Sequence, residues 1–116
     1  MHELGVVFHC IKSVNNIAEE NGVKRVNSVT IELGEVSQVI DYLFEDCWNW
    51  AIKKEPVLKD CTLKIEKIPA VTFCEGCGKT YPTVKHGKIC PMCGSERTYL
   101  VQGNELNIKE IEVFDD

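Results

Sequence analysis

Cys74, Cys77, Cys90 and Cys93 form two Cys-x-x-Cys pairs separated by twelve residues. Two residues between the cysteines of each pair let both sulfurs turn toward one point. A glycine, Gly78 or Gly94, follows each pair, and its permissive backbone suits a tight turn whose N–H groups face the thiolates. Four thiolates favour zinc or iron, and an all-thiolate zinc site keeps no position open for substrate, so its expected role is structural. A module of some thirty residues buries too little apolar surface to fold unaided, so the metal must supply much of its folding free energy. Seven cysteines, an odd number, argue against a disulfide scaffold. Cys10, Cys47 and Cys61 stand among apolar residues and read as small buried hydrophobes. His86, four residues before Cys90, reads as an exposed loop histidine, because four thiolates already complete a shell.

A second chelating pattern lies at Met1-His2-Glu3. The free amine, the backbone amide and His2 Nδ1 close a five-membered and a six-membered ring around one metal. Nickel(II) and copper(II) accept such tetragonal, nitrogen-rich sites and displace an amide proton, which zinc does poorly. The α-amine, with a usual pKa of about 7.7–8.0, must lose its proton, so affinity should rise with pH. Initiator methionine is expected to stay in place, because histidine is not small. A helix starting near Glu3 or Leu4 would disfavour a cation at its N-terminus by a few tenths of a kcal/mol, which the Glu3 carboxylate would offset.

The elements that hold these residues follow from periodicity. Leu4, Val7, Phe8, Ile11, Val14, Ile17 and Ala18 recur at steps of three and four, predicting an amphipathic helix over 4–21 that ends at Asn21-Gly22. Val29, Ile31 and Leu33 alternate with Ser28, Thr30 and Glu32 as in a strand with one buried face. After Gly34, Asp41 is the expected N-cap of a second helix burying Phe44, Cys47, Trp48 and Ala51, with Pro56 as its stop. Trp50 falls off that stripe, as a core residue or a partner-binding anchor. Thr62–Ile68 reads as a second strand, and Glu105–Phe114 as a third whose change of parity predicts a bulge. The expected fold is α+β: two helices packed on a three-stranded sheet, with an inserted four-cysteine zinc-ribbon module. Residues 1–69 plus 104–116 make the core domain, and 70–103 the zinc-binding domain, in which the twelve residues between the pairs are ample for a hairpin carrying Lys79–Tyr81 and His86–Lys88.

The chain of 116 residues has room for one compact unit and a small appendage, and its formal charge of −5 counts against nucleic acid. No export signal and no membrane span is legible, so a cytoplasmic protein is expected. Neither a Ser–His–acid arrangement nor a phosphate-binding loop is present, so no enzyme is expected.

Together these residues resemble the HypA/HybF family of hydrogenase nickel-incorporation proteins. The carriers are Met1-His2-Glu3 followed at once by a helix, Glu32-Leu33-Gly34-Glu35-Val36-Ser37, both Cys-x-x-Cys pairs, and Gln102-Gly103-Asn104-Glu105-Leu106. The resemblance implies a metallochaperone that binds Ni2+ as cargo and carries structural Zn2+. It implies delivery of nickel to the large-subunit precursor of [NiFe]-hydrogenase, or to urease, with a HypB-type GTPase as partner. It carries over His2 as the nickel ligand, Met1 and Glu3 as further ligands or neighbours, and Asp41 as an aspartate near nickel. A monomer or weak homodimer is expected. Two other readings remain open here. One is a zinc-ribbon adaptor for nucleic acid or protein, using Lys79, Lys85, Lys88 and Arg97 with Tyr81 and Tyr99 as stacking groups. The other is a rubredoxin-like iron electron carrier.

Overall fold

The computed structural model describes residues 3–114. Helix α1 runs over Glu3–Glu20 and buries Val6, Val7, Cys10, Ile11, Val14 and Ala18. The buried stripe is rotated from the expected one: Cys10 and Val6 turn inward, while Phe8 and Ile17 remain 48% and 40% exposed. The helix closes as its pattern predicts. Gly22 takes φ 66°, its N–H reaches the Glu19 carbonyl, and the Val23 N–H reaches that of Ala18 at 2.8 Å, which satisfies two otherwise orphaned acceptors.

Strand β1, Val26–Gly34, is buried on both faces rather than one. It lies at the centre of a three-stranded sheet, between β2 (Thr62–Ile68) and β6 (Leu106–Val113). Lys64 of β2 meets Glu112 of β6 at 2.9 Å, and Glu66 of β2 meets Lys109 of β6 at 2.7 Å. With β1 between their strands, both ion pairs must arch over it. Ser28 donates a 2.7 Å hydrogen bond from its hydroxyl to Glu112, and Ser28 and Thr30 lie buried beneath this polar roof. The Ser28 hydroxyl and then the Lys64 ammonium hold the Glu112 carboxyl below its ordinary pKa. The exposure parity of β6 shifts between Lys109 and Glu110, where the sequence pattern changes phase.

Helix α2, Asp41–Ala51, begins one residue earlier in its hydrogen bonding than expected. Ile40 occupies the N-cap position in extended conformation and accepts the Phe44 N–H. The Asp41 carboxylate instead takes the neighbouring Tyr42 N–H at 2.8 Å, bracing the first turn from inside. Pro56 does not stop the helix. α2 tightens into a 3-10 turn over Ile52–Lys54, and Pro56 opens the next, Pro56–Leu58, where its missing N–H is no loss. Phe44 and Trp48 are fully buried with rings 6.5 Å apart, whereas Cys47 is only half-buried.

The chain divides into two compact units. One comprises Leu33–Ser37 with Lys67–Leu106; the other is the remainder of the described chain. The first therefore takes in more than 70–103. In it the backbone turn after β1 bonds to the two chain segments that lead to and from the cysteine module. The Gly34 N–H bonds the Glu105 carbonyl, Val36 that of Gly103, and Glu35 that of Ile68, each at 2.8 Å. The Glu35 carboxylate accepts the Ala70 N–H at 2.8 Å, and the Glu105 carboxylate accepts that of Gly103 at 2.6 Å. The backbones approach too closely for side chains. A Cβ at Gly34 would land on the Gly103 carbonyl, and one at Gly103, whose φ is 114°, on Ala70 Cα.

Two outcomes follow. Gly34→Ala and Gly103→Ala should each destabilise by about 2 kcal/mol or more in denaturant melts, whereas Gly5→Ala, with open space around it, should be neutral or better. Burial alone pushes the Cys10 and Cys61 thiols up from 9.0 to about 11. Between these values the unfolded chain releases protons that the folded chain keeps, so both thiols should erode stability as pH rises from about 9 to about 11. The slope is at most about 1.4 kcal/mol per pH unit per thiol. The Cys10→Ala and Cys61→Ala chains should show a flatter loss over that range in urea melts at stepped pH.

Candidate metal centre

The cysteine module builds its own sheet. Strand β3 (Val71–Cys74) lies between β4 (Thr80–Pro82) and β5 (Thr98–Gln102), antiparallel to both. The hairpin that the spacing allows over Lys79–Tyr81 and His86–Lys88 does not form. β4 pairs with β3 instead, and the chain then turns through a short helix, α3 (Thr83–His86), closed by Gly87 at φ 67°. Thr83 fixes this route: its N–H bonds the Ala70 carbonyl, and its hydroxyl meets the Thr72 hydroxyl at 2.6 Å.

Both Cys-x-x-Cys pairs close by the same pattern of backbone bonds. In the first, the Gly78 N–H reaches the Cys74 carbonyl at 2.8 Å and the Cys74 N–H the Lys79 carbonyl at 2.9 Å. In the second, Gly94 reaches Cys90 at 2.9 Å and Cys90 reaches Ser95 at 3.0 Å. Gly78 and Gly94 both adopt φ 73°, a conformation in which a side chain would be strained. Within each turn two further N–H groups point at the leading thiol: Gly76 and Cys77 at Cys74, and Met92 and Cys93 at Cys90.

The two turns face each other. Cys74 Sγ lies 3.5 Å from Cys93 Sγ, Cys77 Sγ lies 3.7 Å from Cys90 Sγ, and all four sulfurs fall within 4.8 Å of one another. A disulfide needs about 2.05 Å. A tetrahedron with metal–sulfur bonds of about 2.3 Å has edges of about 3.8 Å, so the cluster fits zinc. Cys74 and Cys90 are buried and form a small core with Tyr81 and Cys77, while Cys93 is exposed. Burial, the largest influence on Cys74 and Cys90, opposes ionisation, yet the converging N–H groups and neighbouring thiols outweigh it. Cys74 is lowered from 9.0, and Cys90 falls to about 7. For Cys93 the Ser95 N–H favours the thiolate, but the surrounding thiols of Cys74, Cys90 and Cys77, with burial, drive it up to about 12. Four thiols in contact cannot all ionise without a cation between them.

Among the described residues this is the one group of three or more His, Cys, Asp or Glu side chains gathered closely enough to hold a metal. Glu3 opens α1 and Asp41 opens α2, and neither belongs to such a group. Met1 and His2 lie outside the described residues. His86 is half-buried rather than exposed, its ring edge-on to Tyr81 at 5.9 Å. Tyr81 is itself buried, with its hydroxyl bonded to the Gly87 carbonyl, so it is not available to stack on a base. Ser95 and Gly76 escaped the sequence reading. The Ser95 N–H serves Cys93, and a Cβ at Gly76 would strike the Ser95 side chain. No local signal marks that pair, because the two turns meet only in the folded ribbon.

Fold and site define a small two-unit protein with a four-cysteine ribbon inserted between strands of an α+β sheet. The chain belongs to the HypA family: the family described as "Hydrogenase/urease nickel incorporation, metallochaperone, hypA" matches residues 1–113. It is 33% identical over 112 residues to the hydrogenase maturation factor HybF of Klebsiella pneumoniae, covering 97% of this chain and 98% of that one. It is 36% identical over 114 residues to the hydrogenase maturation factor HypA of Geobacter metallireducens, covering 97% and 99%. The solution structure of the Ni metallochaperone HypA from Helicobacter pylori shares the fold, with a TM-score of 0.75 at 24% identity over 100% of both chains. A second solution structure, of HypA protein, matches with a TM-score of 0.76 at 25% identity, covering 98% of this chain and 97% of that one. The family is one of metallochaperones and maturation factors, not of enzymes. Among the described residues no helix is long and apolar enough to cross a membrane.

Replacing Cys74 or Cys90 by Ser should abolish binding of one zinc per chain, measured by metal analysis after gel filtration. It should also raise amide exchange throughout 71–102, because each removes one corner of the tetrahedron.

Proposed function

We propose that this chain binds Ni(II) at its N-terminus and delivers it to the large-subunit precursor of a [NiFe]-hydrogenase, with urease as a second client. The observation that carries this reading is the family match, which starts at residue 1 and takes in Met1-His2-Glu3. In this reading the Met1 amine, the His2 amide and His2 Nδ1 hold nickel. Glu3 stands in the first turn of α1, where its carboxylate neutralises a cation and opposes the helix dipole. Asp41, at the first turn of α2, is a further candidate neighbour.

Cys74, Cys77, Cys90 and Cys93 hold zinc as a structural ion. The zinc-binding domain centres on residues 70–103, and the nickel-binding domain on 1–69 with 104–116. A HypB-type GTPase supplies the nucleotide dependence, and the chain works in the cytoplasm as a monomer or weak homodimer. Its chemistry is ligand exchange: the site must release nickel, and protonation of the amine and amide provides the route.

A nickel titration of untagged, zinc-loaded protein should give one nickel per chain. Affinity should rise by up to about a hundredfold per pH unit below the amine pKa of about 8, one proton leaving the amine and one the amide, and by about tenfold per unit above it. His2→Ala, or a single residue added before Met1, should abolish this binding without releasing zinc. Unchanged stoichiometry and affinity in both variants would sink the N-terminal site.

A further inference from the structure

Phe8 and Trp50 stay out of the core, 48% and 55% exposed, on helices α1 and α2, which pack against each other. They are not isolated. With Ile11, Ala51, Lys53, Lys54 and Glu55 they line one groove of about 350 Å³. Its floor is apolar, since Ile11 and Ala51 are buried. Its charges are unequal in availability. Glu55 accepts a 2.9 Å hydrogen bond from the Asn15 side-chain amide, forty residues away in sequence, whereas Lys53 and Lys54 are exposed. Lys12, also exposed, stands one helical turn beyond Phe8 on α1.

We propose that this groove docks an acidic amphipathic helix of a partner protein. An aromatic pair flanking an apolar floor between two helices takes the i, i+3, i+4 side chains of an incoming helix. Exposed Trp and Phe are the side chains that gain most from such coverage. The sign of the partner follows from charge complementarity. The chain as a whole is acidic, at −5, whereas this rim presents two lysines, Lys53 and Lys54, to the single Glu55 carboxylate, which the Asn15 amide holds in place. At physiological salt, charges beyond about 8 Å are largely screened, so the rim rather than the net charge decides the local preference. Acidic side chains above the rim pair with Lys53, Lys54 and Lys12, which outnumber the Glu55 carboxylate and that of Asp46, one turn before Trp50, so a basic helix meets more repulsion than attraction there. A second copy of this chain fits poorly, because groove against groove sets concave on concave and brings like-charged rims together. The proposal is independent of the nickel site.

Two tryptophans give the test an internal control, since Trp48 is fully buried and Trp50 is not. The probe is a synthetic helical peptide with leucine along one face and glutamate along the other, titrated into 15N-labelled, zinc-loaded full chain. The Trp50 indole N–H resonance should move saturably and that of Trp48 should not, with a Kd of roughly 10–100 μM, as suits a small transient contact. The Lys53→Glu/Lys54→Glu chain should bind at least about tenfold more weakly, and so should wild type when salt is raised from low to high. Phe8→Ala should also weaken binding while leaving zinc content and the Trp48 resonance unchanged. His2→Ala should bind the peptide as wild type does, which separates this test from the nickel titration. An unmoved Trp50 resonance overturns the proposal, as does equal affinity for a scrambled isomer or for the lysine-faced peptide. A Trp50 shift that follows protein concentration without peptide overturns it in favour of a second copy as occupant.

Discussion

Three backbones meet at Gly34, Gly103 and Ala70 with no room for a side chain between them, and the cysteine unit depends on that crossing. The chain leading to Cys74 passes through Ala70, between β2 and β3, and the chain returning from the ribbon passes through Gly103, between β5 and β6. Each is pinned to the Gly34–Val36 turn by backbone bonds, and Glu35 and Glu105 seal the crossing with carboxylates on the Ala70 and Gly103 N–H groups. The N–H groups of Gly34, Glu35, Val36, Ala70 and Gly103 all find partners at the crossing, as buried irregular chain requires. Around the ribbon the buried apolar cluster is small, Tyr81 with Cys74, Cys90 and Cys77. Hydrogen bonds fix the unit at one end, and the four gathered sulfurs at the other are where a bound metal would add what hydrophobic burial does not supply.

The cysteines divide by the same physics. Cys10 and Cys61 are buried without donors, so burial acts alone and raises both to about 11. Cys74 and Cys90 are as deeply buried, yet each receives two backbone N–H groups from a turn whose closing glycine sits at φ 73°. Those donors, with the neighbouring thiols, reverse the effect of burial and bring Cys90 to about 7. The two kinds of buried thiol thus differ in backbone donors and thiol neighbours rather than in depth. The inert pair packs as small hydrophobes, and the ribbon pair is prepared for a cation.

Periodicity reached the order of helices and strands, the sites of chain reversal at Asn21-Gly22, and the insertion of the ribbon between two core strands. It erred where the deciding contact is distant in sequence. Ser28 and Thr30 alternate with apolar residues and read as solvent-facing. They are buried because Lys64–Glu112 and Glu66–Lys109 close over the central strand, and a one-strand pattern cannot contain that fact. The pairing of β4 with β3 escaped for the same reason: Thr83 is anchored to Ala70 and Thr72, more than ten residues back. Gly34 and Gly103 stood out as resemblance-bearing residues, but their reason is a mutual approach that appears only in the fold. Helical spacing puts Phe8 on the buried stripe because it locates a stripe without fixing where its edge falls; the partner helix decides that.

The two proposed metal sites differ in what their ligands can do. Around the cysteine cluster each leading sulfur is held by backbone donors, two of the four sulfurs are buried, and a metal at the centre would keep no vacant position. Release would mean exposing the Tyr81 core and stranding four thiols in contact, so such a site resists exchange. A chelate built on an α-amine and a peptide nitrogen is the opposite case. Its donors bind protons in competition with the metal near neutral pH, and each proton gained removes a ligand without disturbing any packed residue. Glu3 in the first turn of α1 offsets the repulsion between a divalent cation and the helix N-terminus, and it does so with a surface charge that salt or an approaching partner can screen. A closed thiolate cage suits an ion that sets shape, and an open chelate at a chain end suits one that must leave.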